Sequence, residues 1–374
     1  MQRRIATFKF RLGAVCLLAA AAPYDGIRVH AGALPIPSLA QAYQGRLRIG
    51  TAVEPAELAG ADEALLASQF DSVVAENVMK PSRIQPREGS FEFAPADAIA
   101  GFARRHGMAM RGHTLLWYRR TPEWFWAGPD GAPASRDLVL ARLRRHIEVV
   151  VGRYKPAVYG WDVVNEVIDA TQPNCLRNDR WFQVVGPDYV ELAFRYAHAA
   201  DPRARLFINE YSTTEPDKRA CLEREVKSLL ARGVPVHGVG HQMHLSIFEP
   251  TMGEIDQTLT VFARLGLENQ ITELDMSIYR RNAYLLSEAP DRLLRLQGAR
   301  YQALMRVLLA HPEVTAVTWW GLSDAHTYRN TGWNFWRSDQ PLLFDALGIP
   351  KPAFWAVLSA APAQSAPDAP RSQR

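Results

Sequence analysis

Short apolar runs suited to β-strands alternate along this chain with segments in which apolar residues recur at helical spacing. Eight runs are strand-like and cover residues 47–52, 70–76, 108–113, 158–165, 205–209, 236–244, 269–274 and 315–321. The helix-like segments follow in turn and cover residues 56–69, 95–106, 136–153, 188–199, 215–231, 254–265, 290–310 and 352–360. Strands joined by helical crossovers form a parallel sheet. Eight such units over about 330 residues predict an α/β fold that closes into a (β/α)₈ TIM barrel.

An open, doubly wound sheet is the alternative arrangement of alternating strands and helices. Its first strand is expected to lead into a Gly-x-Gly-x-x-Gly turn. That turn is missing here, and Gly238-Val-Gly240 lies inside a strand-like run instead. Because no internal repeat or linker divides the chain, we expect one domain over residues 34–361. The remaining segment, 362–374, is rich in Ala, Pro and Ser and is predicted to be disordered.

The N-terminus has the charge pattern of an export signal. Four basic residues within the first eleven precede an apolar stretch, 12–22, that is too short to span a bilayer. Small residues near positions 31–33 offer a cleavage site, so residues 1–33 are predicted to be a signal peptide. A buried first helix is the alternative. If the signal is removed, the mature protein is secreted or periplasmic and has no membrane association.

Charge and cysteine content narrow the possible partners. The 43 basic and 39 acidic residues are spread along the chain, without the lysine-rich, aromatic-interleaved run typical of nucleic-acid binding. Cys16 would leave with the signal peptide. Cys175 and Cys221 would then form either a disulfide or two separate buried thiols. Without Cys-x-x-Cys or His-Glu-x-x-His spacing, we expect no metal site.

Polar side chains gather where the predicted strands end, and in a barrel this is the edge that carries the active site. Two of them, Glu166 and Glu273, close apolar runs, where a carboxylate is costly to bury and needs either ion-pair partners or a chemical role. Acids and amides bond hydroxyl groups, and indoles cover the apolar faces of sugar rings. The set therefore indicates a neutral, hydroxyl-rich ligand. The strand ends carry Glu76, Asn77, Lys80, Arg111, His113, Trp117, Asn165, Glu166, Asn209, Glu210, Tyr211, Gln242, His244, Glu273, Asp275, Trp319 and Trp320.

Seven segments that span these strand ends resemble family 10 of the glycoside hydrolases, the endo-1,4-β-xylanases built on a (β/α)₈ barrel. They occur in family order over nearly all of the predicted mature chain. The segments are Ala75-Glu-Asn-Val-Met-Lys-Pro81, Arg111-Gly-His-Thr-Leu-Leu-Trp117, Trp161-Asp-Val-Val-Asn-Glu-Val167, Gly238-Val-Gly-His-Gln-Met-His-Leu245, Ile271-Thr-Glu-Leu-Asp275, Trp320-Gly-Leu-Ser-Asp324 and Pro341-Leu-Leu-Phe-Asp345.

The resemblance implies retaining hydrolysis of internal β-1,4-xylosidic bonds through a covalent glycosyl-enzyme. Such enzymes hold two carboxyl groups about 5–5.5 Å apart. Glu166 would be the acid/base and Glu273 the nucleophile. The partner would be xylan or a xylo-oligosaccharide, no metal or organic cofactor is implied, and we expect a monomer.

Further roles follow from the same resemblance. Asn165 would bond the 2-hydroxyl of the sugar at the cleavage point. His244, held by Asp275, would orient Glu273 and keep it ionised. Gln242 would steady the acid/base side.

Sugar contacts are also implied. Glu76, Asn77 and Lys80 would bond the next glycone sugar, and His113 with Trp117 would line the cleavage subsite. Because xylose lacks the hydroxymethyl group of glucose, a wall made by Trp320 beside Lys80 would disfavour glucans by steric clash.

Three positions depart from the family pattern. Tyr118 stands where the family usually has His, Glu210 where it usually has Asp, and Tyr328 where a second Trp is common. Tyr328 could still stack on a sugar. These changes put in doubt the affinity for the leaving-group side of the substrate and the preference for decorated xylan.

Two alternatives of other kinds stay open. A retaining β-1,4-glucanase would use the same paired glutamates and would cleave glucan but not xylan. A non-enzymatic carbohydrate-binding barrel would be expected to have lost a catalytic glutamate, and both are present.

Overall fold

The computed structural model describes residues 36–331 and 336–363. The predicted signal peptide, residues 1–33, lies outside the described residues. So does the greater part of the predicted disordered tail, from residue 364 onward. Both stay predictions.

Parallel strands form a closed barrel, which confirms the predicted fold class. Around the barrel the order is β1-β2-β3-β4-β5-β6-β8-β9, and β9 pairs with β1 to close it. A short strand, β7, continues β6 after a two-residue break and pairs with β8. The strands are β1 (Arg48–Val53), β2 (Ser72–Ala75), β3 (Ala109–Trp117), β4 (Val158–Asn165), β5 (Arg205–Glu210), β6 (Gly238–His241), β7 (His244–Ser246), β8 (Glu268–Ser277) and β9 (Val314–Trp319).

Helices surround the barrel and return the chain from one strand to the next. Their apolar faces pack on the strands, as in α4, where Ile99 and Phe102 are fully buried. Among the helices of the described ranges, none is both long enough and apolar enough to cross a bilayer. The helices are α1 (Leu39–Ala42), α2 (Gly60–Gln69), α3 (Pro81–Ile84), α4 (Ala94–Arg105), α5 (Arg136–Tyr154), α6 (Arg180–Val185), α7 (Tyr189–Ala200), α8 (Pro216–Ala231), α9 (Met252–Ala263), α10 (Pro290–Ala310) and α11 (Pro352–Ser359).

One predicted strand was wrong in its continuity. The run 236–244 breaks at Gln242 and Met243, where Met243 adopts the left-handed backbone region with φ +54°. The short helices α1, α3 and α6 were also not predicted, because four to six residues are too few to show a helical period.

A buried ion pair links strands inside the barrel. Arg111 on β3 forms a two-point contact with Asp162 on β4 and also donates to Gln270 on β8. His113 Nδ1 donates to Asp162 Oδ2 at 3.0 Å. Because a buried charge must be paired, this cluster fixes how β3 and β4 meet and where His113 points.

Gly112 allows the close contact between β3 and β4. A Cβ atom placed on Gly112 would lie 2.2 Å from the ring of Trp161 on the adjacent strand. That ring is itself almost fully buried. Only a glycine therefore lets the two strands pair here with Trp161 in place.

A hydrogen bond and a disulfide each join parts of the chain that are far apart in sequence. The hydroxyl of Tyr43, next to α1, donates to the carbonyl of Val357 on α11 at 2.6 Å. Cys175, in the loop between β4 and α6, forms a disulfide with Cys221 on α8, with Cα atoms 5.3 Å apart.

Candidate active site

One hydrogen-bond chain connects the two glutamates at the carboxyl ends of the strands. Gln242 Nε2 donates to Glu166 Oε1 and to Asn165 Oδ1, both at 3.3 Å. Asn209 Nδ2 donates to the same Asn165 oxygen at 2.9 Å and to Glu273 Oε1 at 2.8 Å. The amides of three strand ends thus fix both carboxylates relative to each other.

Local backbone geometry brings Glu166 into this chain. Glu166 follows the last residue of β4, has φ +59°, and donates its backbone N–H to the Asn209 carbonyl at 2.9 Å. A glutamate in the left-handed backbone region is uncommon. Such a conformation is kept only where the surrounding structure stabilises it, which is often the case at functional sites. The turn aims the carboxylate across the rim instead of along the strand.

Glu273 lies on β8 among groups that favour its charged form. Burial alone would raise the pKa of Glu273, but the hydrogen bond from His244 and the positive charges around it hold that pKa below its usual range. His244 Nε2 lies 3.1 Å from Glu273 Oε2. The carboxylate is therefore available as an anion.

His244 is held by a second carboxylate on its other side. Nδ1 lies 3.0 Å from Asp275 Oδ2, and the other oxygen of Asp275 accepts from Arg329 at 2.5 Å. Burial opposes a positive charge on the ring, yet Asp275 and Glu273 raise the pKa of His244 to about 9. At neutral pH the imidazolium donates to both carboxylates.

A second polar group lies on the neighbouring strand ends β1 and β2. Lys80 Nζ donates to Asn77 Oδ1 at 2.8 Å, and Asn77 Nδ2 donates to Glu54 Oε1 at 2.7 Å. Burial raises the pKa of Glu76, and the charge of Lys80 opposes that rise. Sequence analysis missed Glu54, which directly follows the observed strand β1.

Aromatic rings wall this part of the rim. The Lys80 ammonium lies 5.1 Å from the Trp117 ring centroid and 5.8 Å from that of Trp320. His113 lies edge-on to Trp320, with centroids 5.3 Å apart. Tyr328 lies 5.3 Å from the His244 ring and is 38% exposed, so its face is available to a ligand.

The structure brings the predicted catalytic and sugar-contact residues to this rim and adds three that sequence analysis did not assign: Glu54, Asn209 and Arg329. Asn209 pairs with Asn165 in the register of β4 and β5, so an amide at matching strand ends was the available signal. Arg329 left no such signal, because its contact with Asp275 joins residues 54 positions apart.

Glu210, one of the departures from the family pattern, is fully buried. It lies 2.8 Å from Lys218 and accepts from the Ile168 backbone N–H at 2.7 Å. Burial, opposed by Lys218, raises the pKa of Glu210 to about 7. Its role is to hold the loop after β4.

Within the described residues, no three His, Cys, Asp or Glu side chains are grouped so as to bind a metal ion.

Comparison with known proteins identifies the family to which this chain belongs. The model of glycosyl hydrolase family 10 matches residues 38–360. The chain belongs to this family. A thermostable celloxylanase from Thermoclostridium stercorarium is 44% identical over 338 residues, which are 86% of this chain and 87% of the relative. Endo-1,4-beta-xylanase B from Paenibacillus barcinonensis is 40% identical over 86% of this chain and 98% of its own length. The solved structure of xylanase B from Clostridium stercorarium F9 superposes with a TM-score of 0.83 at 44% identity, covering 86% of this chain and 99% of that one.

Proposed function

We propose that this family 10 glycoside hydrolase is a retaining endo-1,4-β-xylanase in which Glu166 is the acid/base and Glu273 the nucleophile. The assignment rests on a difference between the two carboxylates, which accept different hydrogen bonds although they belong to the same hydrogen-bond chain. Glu273 is bonded by Asn209 and by a positively charged His244. Glu166 accepts one longer bond, from Gln242 at 3.3 Å. A retaining glycosidase needs this division into an anion and a group that exchanges a proton.

In the first step Glu166 gives its proton to the glycosidic oxygen while a Glu273 oxygen attacks the anomeric carbon. The C–O bond to the leaving group breaks, and an α-linked glycosyl-enzyme forms on Glu273. The amide of Asn165 lies between the two carboxylates, where it can bond the 2-hydroxyl of the reacting sugar. That contact strengthens in the transition state.

In the second step Glu166, now a carboxylate, takes a proton from a water molecule. The water oxygen attacks the anomeric carbon and displaces Glu273, so the product has the original β configuration. Transfer of the Glu166 proton in the first step and its return in the second leave the enzyme unchanged.

Xylose is favoured over glucose by the walls beside the cleavage point. Trp320 and Lys80 are nearly fully buried and lie against each other, so neither yields easily to an added hydroxymethyl group. The names of relatives support this substrate, since one is an endo-1,4-beta-xylanase. Some glucan cleavage is the second candidate, because another relative is named a celloxylanase.

The test is release of reducing ends from soluble β-1,4-xylan and from carboxymethyl cellulose, measured in parallel. We expect release from xylan by the wild type and none by Glu273→Ala, with circular dichroism showing that the variant is folded. Cleavage of carboxymethyl cellulose but not of xylan would contradict the proposed substrate. Silence of the folded wild type on both would favour the binding barrel.

Azide rescue distinguishes the catalytic roles of the two glutamates. It should restore turnover of an activated xyloside by Glu273→Ala and give an α-glycosyl azide, because azide enters from the face that the nucleophile has left. With Glu166→Ala the expected product is the β-azide, since the glycosyl-enzyme still forms. Exchanged products would reverse the assignment.

A further inference from the structure

Four groups of alternating charge lead from the loop after β9 to the nucleophile, and we call them the charge chain. Arg329 donates to one oxygen of Asp275, and the other oxygen of Asp275 lies 3.0 Å from His244 Nδ1. His244 Nε2 lies 3.1 Å from Glu273 Oε2. The order is therefore cation, anion, cation, anion. The cleavage steps described above give Arg329 no role.

Burial makes the charge of Asp275 depend on Arg329. Asp275 is fully buried, and a buried carboxylate must be paired to stay charged. Its ion-pair partners in the described part of the chain are Arg329 and His244. Burial alone would raise the pKa of Asp275, but the charge of Arg329, followed by that of His244, holds this pKa below its usual range. Of these two partners, Arg329 is the one that cannot lose its proton in a protein.

The loop after β9 fixes Arg329 against the neighbouring strands. Arg329 lies in a short 3₁₀ turn of this loop and also donates to the Leu245 carbonyl of β7 at 3.3 Å. The next residue, Asn330, exchanges hydrogen bonds of 3.0 and 2.8 Å with the backbone of Asp339. The Asp339 carboxylate accepts from the backbone N–H of Ile278, directly after β8, at 3.1 Å. The positive charge is thus anchored to both strands that carry the charge chain.

Other ionisable groups around the charge chain differ from Arg329 in sign or position. The basic ones act on Glu273, at the end of the charge chain farthest from Arg329. The acidic ones supply no positive charge, and the tyrosines stay neutral because burial raises their pKa. These groups are Glu76, Lys80, His113, Glu166, Tyr301, Tyr328 and Asp339. Within the described residues, Arg329 therefore has no substitute beside Asp275.

We propose that Arg329 is a positioning residue for the nucleophile and acts through Asp275 and His244. This inference rests on the proposed function, in which Glu273 must be an anion before it attacks. With Arg329 the charge chain has no net charge, since two cations balance two anions. Without Arg329 it has one excess negative charge, and a buried excess of negative charge favours uptake of a proton. The pKa of Glu273 would then rise.

The test is the pH dependence of kcat/KM on an aryl β-xylobioside, whose acid limb reports ionisation of the free enzyme. Activity is lost as pH falls through the pKa of Glu273, so a raised pKa moves this limb to higher pH. Arg329→Met should move it by about one unit, since an adjacent charge shifts a pKa by about one to three units and Arg329 acts through two intervening groups.

Three further variants separate charge from hydrogen bonding and packing. Arg329→Gln should shift the acid limb as Arg329→Met does, because an amide can donate to Asp275 but carries no charge. Arg329→Lys should reverse most of the shift. Asp275→Asn/Arg329→Met removes the ion pair as a unit and leaves no unpaired buried carboxylate. This double variant should fold and have an acid limb close to that of the wild type.

Arg300→Met is the matched control. Arg300, on α10, is also partly buried and donates to the backbone carbonyls of Ser246, at 3.0 Å, and Pro250, near the end of β7. Among the described residues it forms no ion pair with a carboxylate. Its replacement should lower Tm and leave the acid limb where it is in the wild type.

Three results would overturn the inference and leave the xylanase intact. The first is an active wild type whose acid limb stays in place in Arg329→Met and Arg329→Gln while only the height of the profile falls. The second is an equal shift in Arg300→Met, which would indicate a general effect of lost packing. The third is an acid limb in the double variant as high as in Arg329→Met. A folded wild type inactive on both xylan and the xylobioside would instead refute the proposed function.

Discussion

His244 shows how far a single residue of this site depends on its neighbours. Both ring nitrogens face carboxylates, and the ring therefore stays positively charged at neutral pH although it is partly buried. The same charge keeps Glu273 ionised. One proton on His244 thus serves both the stability of the rim and the readiness of the nucleophile.

The pH dependence of stability follows from this proton. The pKa of His244 is about 9 in the fold and 6.5 ordinarily. Its contribution should be complete below pH 6.5 and be lost as pH rises toward 9. We expect the Tm difference between wild type and His244→Gln to be largest near pH 6 and to shrink by pH 9.5. Parallel Tm profiles for the two proteins would contradict this. Wild-type kcat should also fall over the upper part of this range.

Residue types at strand ends could be predicted well, but their partners could not. Glu166, Glu273 and His244 stand in recognisable segments. Arg329 and Glu54 join the site through contacts with residues distant along the chain. A one-dimensional pattern carries no distance between such residues, so only the fold reveals them.

At the scale of elements, the packing of β3 on β4 depends on one missing side chain. Gly112→Ala would force its Cβ into the Trp161 ring, and that ring has no room to move. We expect a loss of about 3 kcal/mol in the free energy of unfolding, together with reduced activity because His113 follows directly. Denaturant unfolding measures the loss.

Gly152→Ala is the control for that substitution. Gly152 lies in α5, and a Cβ there would meet nothing within 4 Å. Alanine favours helix, so this variant should be as stable as the wild type or up to about 1 kcal/mol more stable. A Gly112→Ala protein that also keeps wild-type stability would show that β3 and β4 can separate without cost.

Element boundaries were predicted closely where periodicity is long, as in α5 and α10. The break between β6 and β7 was missed because Gln242 and Met243 continue an apolar, strand-like run. Met243 adopts φ +54° between two segments that both pair in parallel with β8, and the local sequence gives no sign of this break.

For the whole molecule, the disulfide is the one covalent link between distant parts of the described chain. It closes 46 residues between the loop after β4 and α8. Restricting the unfolded chain over this length should stabilise the fold by about 3–4 kcal/mol. Cys175→Ser/Cys221→Ser should therefore have a lower Tm than the oxidised wild type, and reduced wild type should match the variant. Equal Tm values for oxidised wild type and variant would refute the estimate.

The bond between Tyr43 and Val357 has a practical consequence. It brings the first and last helices of the barrel together at the end where the strands begin, which is opposite to the cleft. An anchor or a second protein attached beside either helix would leave polysaccharide access open. Joining the two helices by a short peptide and opening the chain at a loop elsewhere would give a circular permutant with the same barrel.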